Sequence, residues 1–425
     1  HWDVSNIFPS LASAEYDRSL SELETKIEKC QKLIDTLGQG DSARSCAAVL
    51  EALNEIFEHG GMIRAYLQAF ITTDSHDQDA LKRYSVFERT FLEVQNMHLH
   101  FQVWIGRLSD DDLQKMISAN ETNRSHSFAL NNLKEQSRYL MAPDLEELGN
   151  ELALSGANAW SKLQGTITSQ LTAEFEVDGK VQQLPMPAII NFRSHSDEAV
   201  RRKAYVTEMK AWSSVDTTLA AALNGVKGTA NTLEKRRGRS DCLHSAIDSA
   251  RITRKTLEVM IESMENSLPI FEKYFNHKAK LIGKNKLDWW DLFAPESSGG
   301  ESYDWIKAKG FILEHFNSFS PELGAFAKRA FDQNWIDAEQ REGKRGGAFC
   351  MGVPVKKESR ILCNFDGSLD QVSTIAHELG HAFHNECAYK AGKTEFQQDT
   401  PMTLAETASI MCETVITEAL LMNTT

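Results

Sequence analysis

The sequence predicts a mainly α-helical fold that carries one β-hairpin and a small β-sheet in its second half. Apolar residues recur at intervals of three and four over most of the 425 positions, the period of amphipathic helices. Two short alternating runs flank the Asp178-Gly179 pair. Glycine-rich, β-prone texture is concentrated between Leu287 and Asp366.

The elements follow in chain order. From Leu11 to about Leu171, stretches such as "LSELETKIEKCQKLIDTL" and "FLEVQNMHLHFQVWIGRL" predict several long helices. Breaks fall at Gly38-Gln39-Gly40, at "TTDSHDQD" and at Ala142-Pro143. We assign 1–172 to an N-terminal helical lobe and 173–425 to the hairpin and everything after it. The hairpin is "TAEFEVDGKVQQLPM". Helices resume from Asp197 to Leu223 and from Thr253 to Leu281, and the charged "LEKRRGRSD" between them reads as a solvated loop. "LDWWDLFAPESSGG", "REGKRGGAF" and "SRILCNF" then predict a small sheet. No repeat, low-complexity tract or clean linker divides the chain.

Composition narrows the class. With 41% hydrophobic residues the chain can bury a sizeable core. Sixty acidic against 46 basic residues give a net charge of -14, a field that repels nucleic acid and anionic membranes, so neither is expected as a partner. The seven scattered cysteines show no zinc-finger spacing and read as buried reduced thiols. "HWDVSNIFPS" lacks the basic start and apolar core of a signal peptide, and no apolar run approaches the ~20 residues that span a bilayer. A cytoplasmic location is expected, which makes the glycosylation-like triplets at Asn120 and Asn123 chance matches.

The stretch "QVSTIAHELGHAFH" carries the chemistry. Val372, Ile375, Ala376, Leu379, Ala382 and Phe383 keep helical spacing, so His377 and His381 point the same way from consecutive turns and can share one tetrahedral ion. Glu378 sits about 100° around the helix, placed to reach a metal-activated water rather than the metal. Thirteen histidines produce such a pattern by chance in about one of twenty sequences of this makeup, so a third ligand is needed. Glu406, 25 positions after His381, is a candidate in "TPMTLAETASIMCETVITEALL". Thr403 and Glu406 also fit a capping box, and spacing leaves both readings open.

With these residues in view the sequence resembles the oligoendopeptidase F family of thimet-oligopeptidase-like zinc metallopeptidases. The likeness spans most of the chain, in "WDVSNIFP", "DWWDLFAP", "GKRGGAF", "ILCNFDGS", "HELGHAFH" and "PMTLAETAS" in that order. It implies that His377, His381 and Glu406 bind zinc and that Glu378 is the catalytic base. It also implies a helical body split by a deep channel that admits short peptides, with the small sheet along one wall. In that picture Gly346, Gly347 and Phe349 border the substrate backbone. Only nineteen residues follow Glu406, whereas members of the family continue through further helices bearing a histidine and tyrosines that steady the oxyanion. The C-terminal part of the family fold is therefore expected to be missing, which leaves an apolar face for association with another chain.

Several residues carry alternative readings. A tetrahedral site does not easily take three histidines from one straight helix, so His384 is assigned to the cleft lining. Gly380 costs about 1 kcal/mol inside a helix, and a second backbone approaching there would account for it. Trp289 and Trp290 read as core anchors. Glu413, seven positions after Glu406, either orients a zinc-bound histidine or faces solvent. The function expected is a zinc endopeptidase for short oligopeptides. A zinc carboxypeptidase or dipeptidase, and a non-catalytic zinc- and peptide-binding protein, are the alternatives.

Overall fold

The computed structural model describes residues 1–177, 179–295 and 302–423, so Asp178 of the hairpin turn and the "ESSGG" end of the tryptophan stretch lie outside the described residues. Helices α1 (Ala14–Asp35), α2 (Ser42–Thr73) and α3 (Gln78–Arg107) form the first body. Each begins where a side chain takes up an orphan amide: Ser13 accepts from Tyr16, Asp41 from Ala43 and Arg44, and Asp77 from Ala80. Leu23, Ile27, Cys30 and Ile34 of α1 line one face and join Val49, Leu53 and Ile56 of α2 in the first core. Burying each such aliphatic side chain contributes about 1.5–3 kcal/mol.

Short helices α4 (Asp110–Ser118), α5 (Glu121–Ser125) and α6 (Ser127–Gln136) close this body, and α7 (Pro143–Ser155) and α8 (Ala157–Gln170) lead out of it. Pro143 stands at the first position of α7, where its missing amide costs no hydrogen bond. Strands β1 (Thr172–Val177) and β2 (Lys180–Pro185) form the expected hairpin, with Val177 opposite Lys180 and Gly179 at φ +75°. Phe175 of β1 packs with Met186 and Ile189 of α9 (Met186–Asn191) and with Ala204 and Ala211 of α10 (Glu198–Arg236).

Helix α10 runs thirteen residues beyond the expected Leu223, through Gly225 and Gly228. A Cβ on Gly225 would lie 2.3 Å from the Trp160 ring, so α8 presses against α10 at this glycine. The charged stretch is corrected with it. Leu233–Arg236 complete α10, and the side chains beyond fold back, Arg237 onto buried Glu146 at 2.6 Å and Arg239 onto Asp248. After α11 (His244–Ala250), helix α12 (Arg254–Leu281) keeps helical backbone through Pro269 and leaves Leu268, Phe271 and Phe275 exposed.

The tryptophan segment is not a strand. Trp289–Asp291 form a single 3-10 turn in which Asp291 is buried between Arg201 at 2.7 Å and Lys284 at 2.5 Å. Trp289, expected in a core, is 71% exposed, while Trp290 lies beneath the Arg202 guanidinium. Helices α13 (Trp305–Phe319) and α14 (Pro321–Asp332) precede the small sheet of β3 (Ile336–Asp337), β4 (Phe349–Val353) and β5 (Glu358–Leu362). Its order is β3-β5-β4: β3 runs parallel to β5, and β4 pairs antiparallel with it, Phe349 opposite Leu362. Val353 is buried in the first core and Ile361 in the second, so the sheet joins the two.

The second core is completed by α15 (Leu369–Lys390) and α17 (Met402–Asn423), with α16 (Glu395–Gln398) in the connection between them. Cys30, Cys46, Cys363 and Cys412 are buried, whereas Cys242 and Cys387 are exposed, contrary to the uniform burial expected. Among the described residues no helix is long and apolar enough to cross a membrane.

Candidate metal centre

Helix α15 is fixed before any ligand is considered. Ser368 caps it by accepting from the Gln371 amide, and Val372, Ile375, Ala376, Leu379 and Ala382 bury one stripe. Helix α17 packs along it, and Gly380 faces the α17 backbone. A Cβ there would stand 2.5 Å from the Ala408 carbonyl oxygen and 2.6 Å from the Ser409 Cα. The bare backbone of α15 thus admits the backbone of α17, two residues past Glu406.

That approach brings the Glu406 carboxylate to both imidazoles. Its Oε2 lies 3.2 Å from His377 Nε2 and 3.3 Å from His381 Nε2, and the two rings are 4.9 Å apart at 82°. Ligand atoms about 2.05 Å from a tetrahedral zinc stand about 3.3 Å from one another, so both carboxylate–imidazole spacings suit that ion. Among the described residues two clusters of three His, Cys, Asp or Glu donors stand close enough to hold a metal, and this is one. The other, Glu198, Asp288 and Asp291, already encloses the Lys284 ammonium, which lies within 3.0 Å of all three.

Neighbours hold the donors in place. His377 turns Nδ1 toward Glu413 Oε2 at 3.1 Å, an arrangement in which that nitrogen carries the proton and Nε2 stays free to ligate. Ser409 Oγ donates to Glu406 Oε2 at 2.6 Å, the first cause holding this carboxyl below its ordinary range; both histidines add to it. Burial pushes His381 down toward the neutral form that a metal needs, opposed by Glu406. In the sequence the only signal for Ser409 is its place one turn after Glu406. Thr403 donates its hydroxyl to the Ala250 carbonyl, and Glu406 faces the histidines rather than its own helix start.

Glu378 stands apart from the three donors. It is 5% exposed, and its Oε2 has no hydrogen-bond partner among the described residues. Burial pushes its carboxyl up to about 7, with His377 opposing and Glu406 adding to the rise. An unpartnered buried carboxylate oxygen is costly, and here it stands next in sequence to a donor histidine.

The remaining candidates lie on α15 and on the segment that leads into β4. His384 is half-buried on α15, one turn past His381. Gly347 takes φ +79°, and Asn364 Nδ2 donates to the carbonyls of Arg345 and Gly347 at 3.0 and 2.9 Å, pinning the loop. A Cβ on Gly346 would touch Pro187 at 3.4 Å. Phe349 opens β4, an edge strand of the sheet that packs beside α15. Buried Lys344 anchors the same loop by donating to Asp337 Oδ1 and to the carbonyls of Glu339 and Cys363.

Comparison with known sequences settles the kinship. The family described as Peptidase family M3 matches residues 191–425, a span that includes every donor. The chain belongs to peptidase family M3. A second description, Oligopeptidase F, matches residues 104–172. The M3 chain is 21% identical to the Bacillus subtilis protein named Oligopeptidase PepF over 99% of its own length. It is 22% identical to an Oligoendopeptidase F homolog of Lactococcus lactis, again over 99% of itself. It spans 62% of the former and 69% of the latter. The crystal structure of oligoendopeptidase-F from Enterococcus faecium shares the fold, at a TM-score of 0.65 and 18% identity, covering 96% of this chain and 67% of that one.

Proposed function

We propose that this chain carries a zinc-dependent peptidase centre that hydrolyses internal bonds of short oligopeptides. The observation that carries the reading is the convergence of His377, His381 and Glu406 from two helices beside a buried, unpartnered Glu378 oxygen. Two imidazoles and one carboxylate are a donor set that zinc takes with a fourth position open. Zinc, when bound there, supplies Lewis acidity to a water and to the scissile carbonyl. Membership of the M3 family and the names of the relatives support a peptidase, and those names favour oligopeptides as substrates.

The chain's own residues do the rest. Glu378 takes a proton from the attacking water at its carboxylate, and burial raises its affinity for that proton. As the water oxygen bonds to the carbonyl carbon and the C–N bond breaks, Glu378 returns the proton to the leaving nitrogen. Glu413 keeps His377 in the ligating tautomer, and Ser409 orients Glu406. The Gly346-Gly347 turn, Phe349 and His384 border the peptide, with the pinned loop presenting β4 alongside it.

An internally quenched peptide assayed together with bound metal tests this. Glu378→Gln should keep about one zinc per chain while turnover falls by about a hundredfold or more. Retained turnover would refute the role of Glu378. Trimming from a peptide end would replace the endopeptidase by an exopeptidase, and zinc without hydrolysis would leave a binding protein.

A further inference from the structure

Away from the metal donors, α2, α3, α6 and the α15–α17 connection enclose a cavity of about 600 Å³. Its wall is aromatic: Phe57 stands 6.2 Å from Phe91 and 5.6 Å from Phe396, ring centre to ring centre. Gly60 of α2 makes room for it. A Cβ there would lie 2.5 Å from the Phe91 ring, so the ring keeps its place in the wall only because this position is bare. Arg64, Glu395 and Asp399 also line the space, which combines apolar walls with a few charged groups, the composition of a ligand pocket rather than a packing void.

Helix α15, which carries two of the donors, and β4, which packs against it, both reach this cavity. Along α15, Tyr389 comes eight residues after His381, a rise of about 12 Å. Along β4, Gly352 comes three residues after Phe349, about 10 Å. Both residues line the cavity, and a Cβ on Gly352 would lie 2.7 Å from the Tyr389 hydroxyl, so helix and strand converge there. A peptide laid along β4 advances about 3.3 Å per residue and reaches the cavity after three or four residues. We propose that the cavity walled by Phe57, Phe91 and Phe396 is a subsite for a large apolar side chain, aromatic above all, three or four residues from the scissile bond.

The assignment rests on the peptidase reading, so its test has two arms. In the first, a phenylalanine is moved stepwise through an otherwise alanine- and glycine-rich quenched peptide. The value of kcat/KM should rise about tenfold when it stands three or four residues from the cleaved bond. Ala129→Trp, which fills the cavity from α6, should bring that ratio to within about twofold of one. Ala129→Leu, a smaller filling, should lower it partway and serves if the tryptophan variant fails to fold. In the second arm, fluorescein-labelled peptides with phenylalanine or alanine at that position bind the zinc-loaded Glu378→Gln protein, and the same ratio should appear in Kd. Hydrolysis without positional preference overturns the subsite and leaves the peptidase standing. Phenylalanine-dependent binding that Ala129→Trp removes, without hydrolysis by the unmodified chain, keeps the subsite and overturns the peptidase. Neither hydrolysis nor preference overturns both.

Discussion

Glu406 and Glu413 occupy the same face of one helix, yet they act on opposite sides of His377, one at Nε2 and the other at Nδ1. This division makes a prediction for the residue that is not a ligand. Glu413→Gln should weaken zinc binding about 10- to 100-fold in chelator competition while the protein stays folded. A merely structural role would shift the unfolding midpoint and leave the zinc affinity alone. At this scale the sequence was informative where chemistry and helical spacing coincide: His377, His381 and Glu378 are legible because positions i, i+1 and i+4 have fixed angles. Glu406 was not legible from spacing, since a capping box predicts the same residues. What places it is a long-range contact at Gly380, and no local pattern encodes which helix comes to rest there.

Elements in this fold meet at glycines more than their helix propensity suggests. Gly380→Ala removes a helix-propensity cost of about 1 kcal/mol but inserts a methyl into the Ala408–Ser409 backbone, an overpacking cost of about 1–3 kcal/mol. The expected outcome is a lower urea midpoint together with weaker zinc binding, because α17 carries Glu406. The same close approach recurs in α10, which runs past the expected Leu223: at Gly225 the Trp160 ring takes the space a Cβ would fill. The "LDWWDLFAP" stretch misled in the opposite sense: its aromatic residues suggest a strand, but Asp291 is drawn into an ion pair with Arg201 and Lys284 that bends the backbone into a turn.

Helix α10 also yields a pH prediction. Burial pushes the Glu146 carboxyl up, but hydrogen bonds from Arg237 and the Met141 amide outweigh it and hold the group below its ordinary 4.5. A depressed carboxyl stabilises the fold above its unfolded value, and that contribution is lost as pH falls through the folded one. Glu146→Gln should therefore lower stability by a constant amount at neutral pH, by about 3–5 kcal/mol if the stranded Arg237 stays dry and less if it reaches water. Below about pH 4 the gap to the unmodified protein should narrow in denaturant titrations. A gap unchanged into acid would mean that the pair contributes nothing through its charge.

For the whole molecule, a zinc ion held by α15 and α17 would couple metal binding to global stability. Free zinc at a thousand times its Kd should stabilise the chain by about 4 kcal/mol, read as a rise in Tm that EDTA reverses. His381→Ala should lose most of that rise. The helical class, the hairpin and the sheet beside the motif were all readable, because each rests on local periodicity or turn chemistry. The sharing of β4 between two cores was not readable, because alternate side chains of a short strand look alike whichever body they enter: Met351 and Val353 pack into the first core and Cys350 against the second.

The connection between the donor helices is fastened to the first body. His126 Nε2 meets the Thr394 hydroxyl at 2.8 Å, the Phe396 amide donates to Asn54 Oδ1 at 3.1 Å, and Gln397 donates to the Ser125 carbonyl at 2.9 Å. A polypeptide pared down to 191–425 would keep every donor and lose each of those moorings. The half that bears the donors cannot be excised as a portable module, and any shortened version must carry the opening helices along.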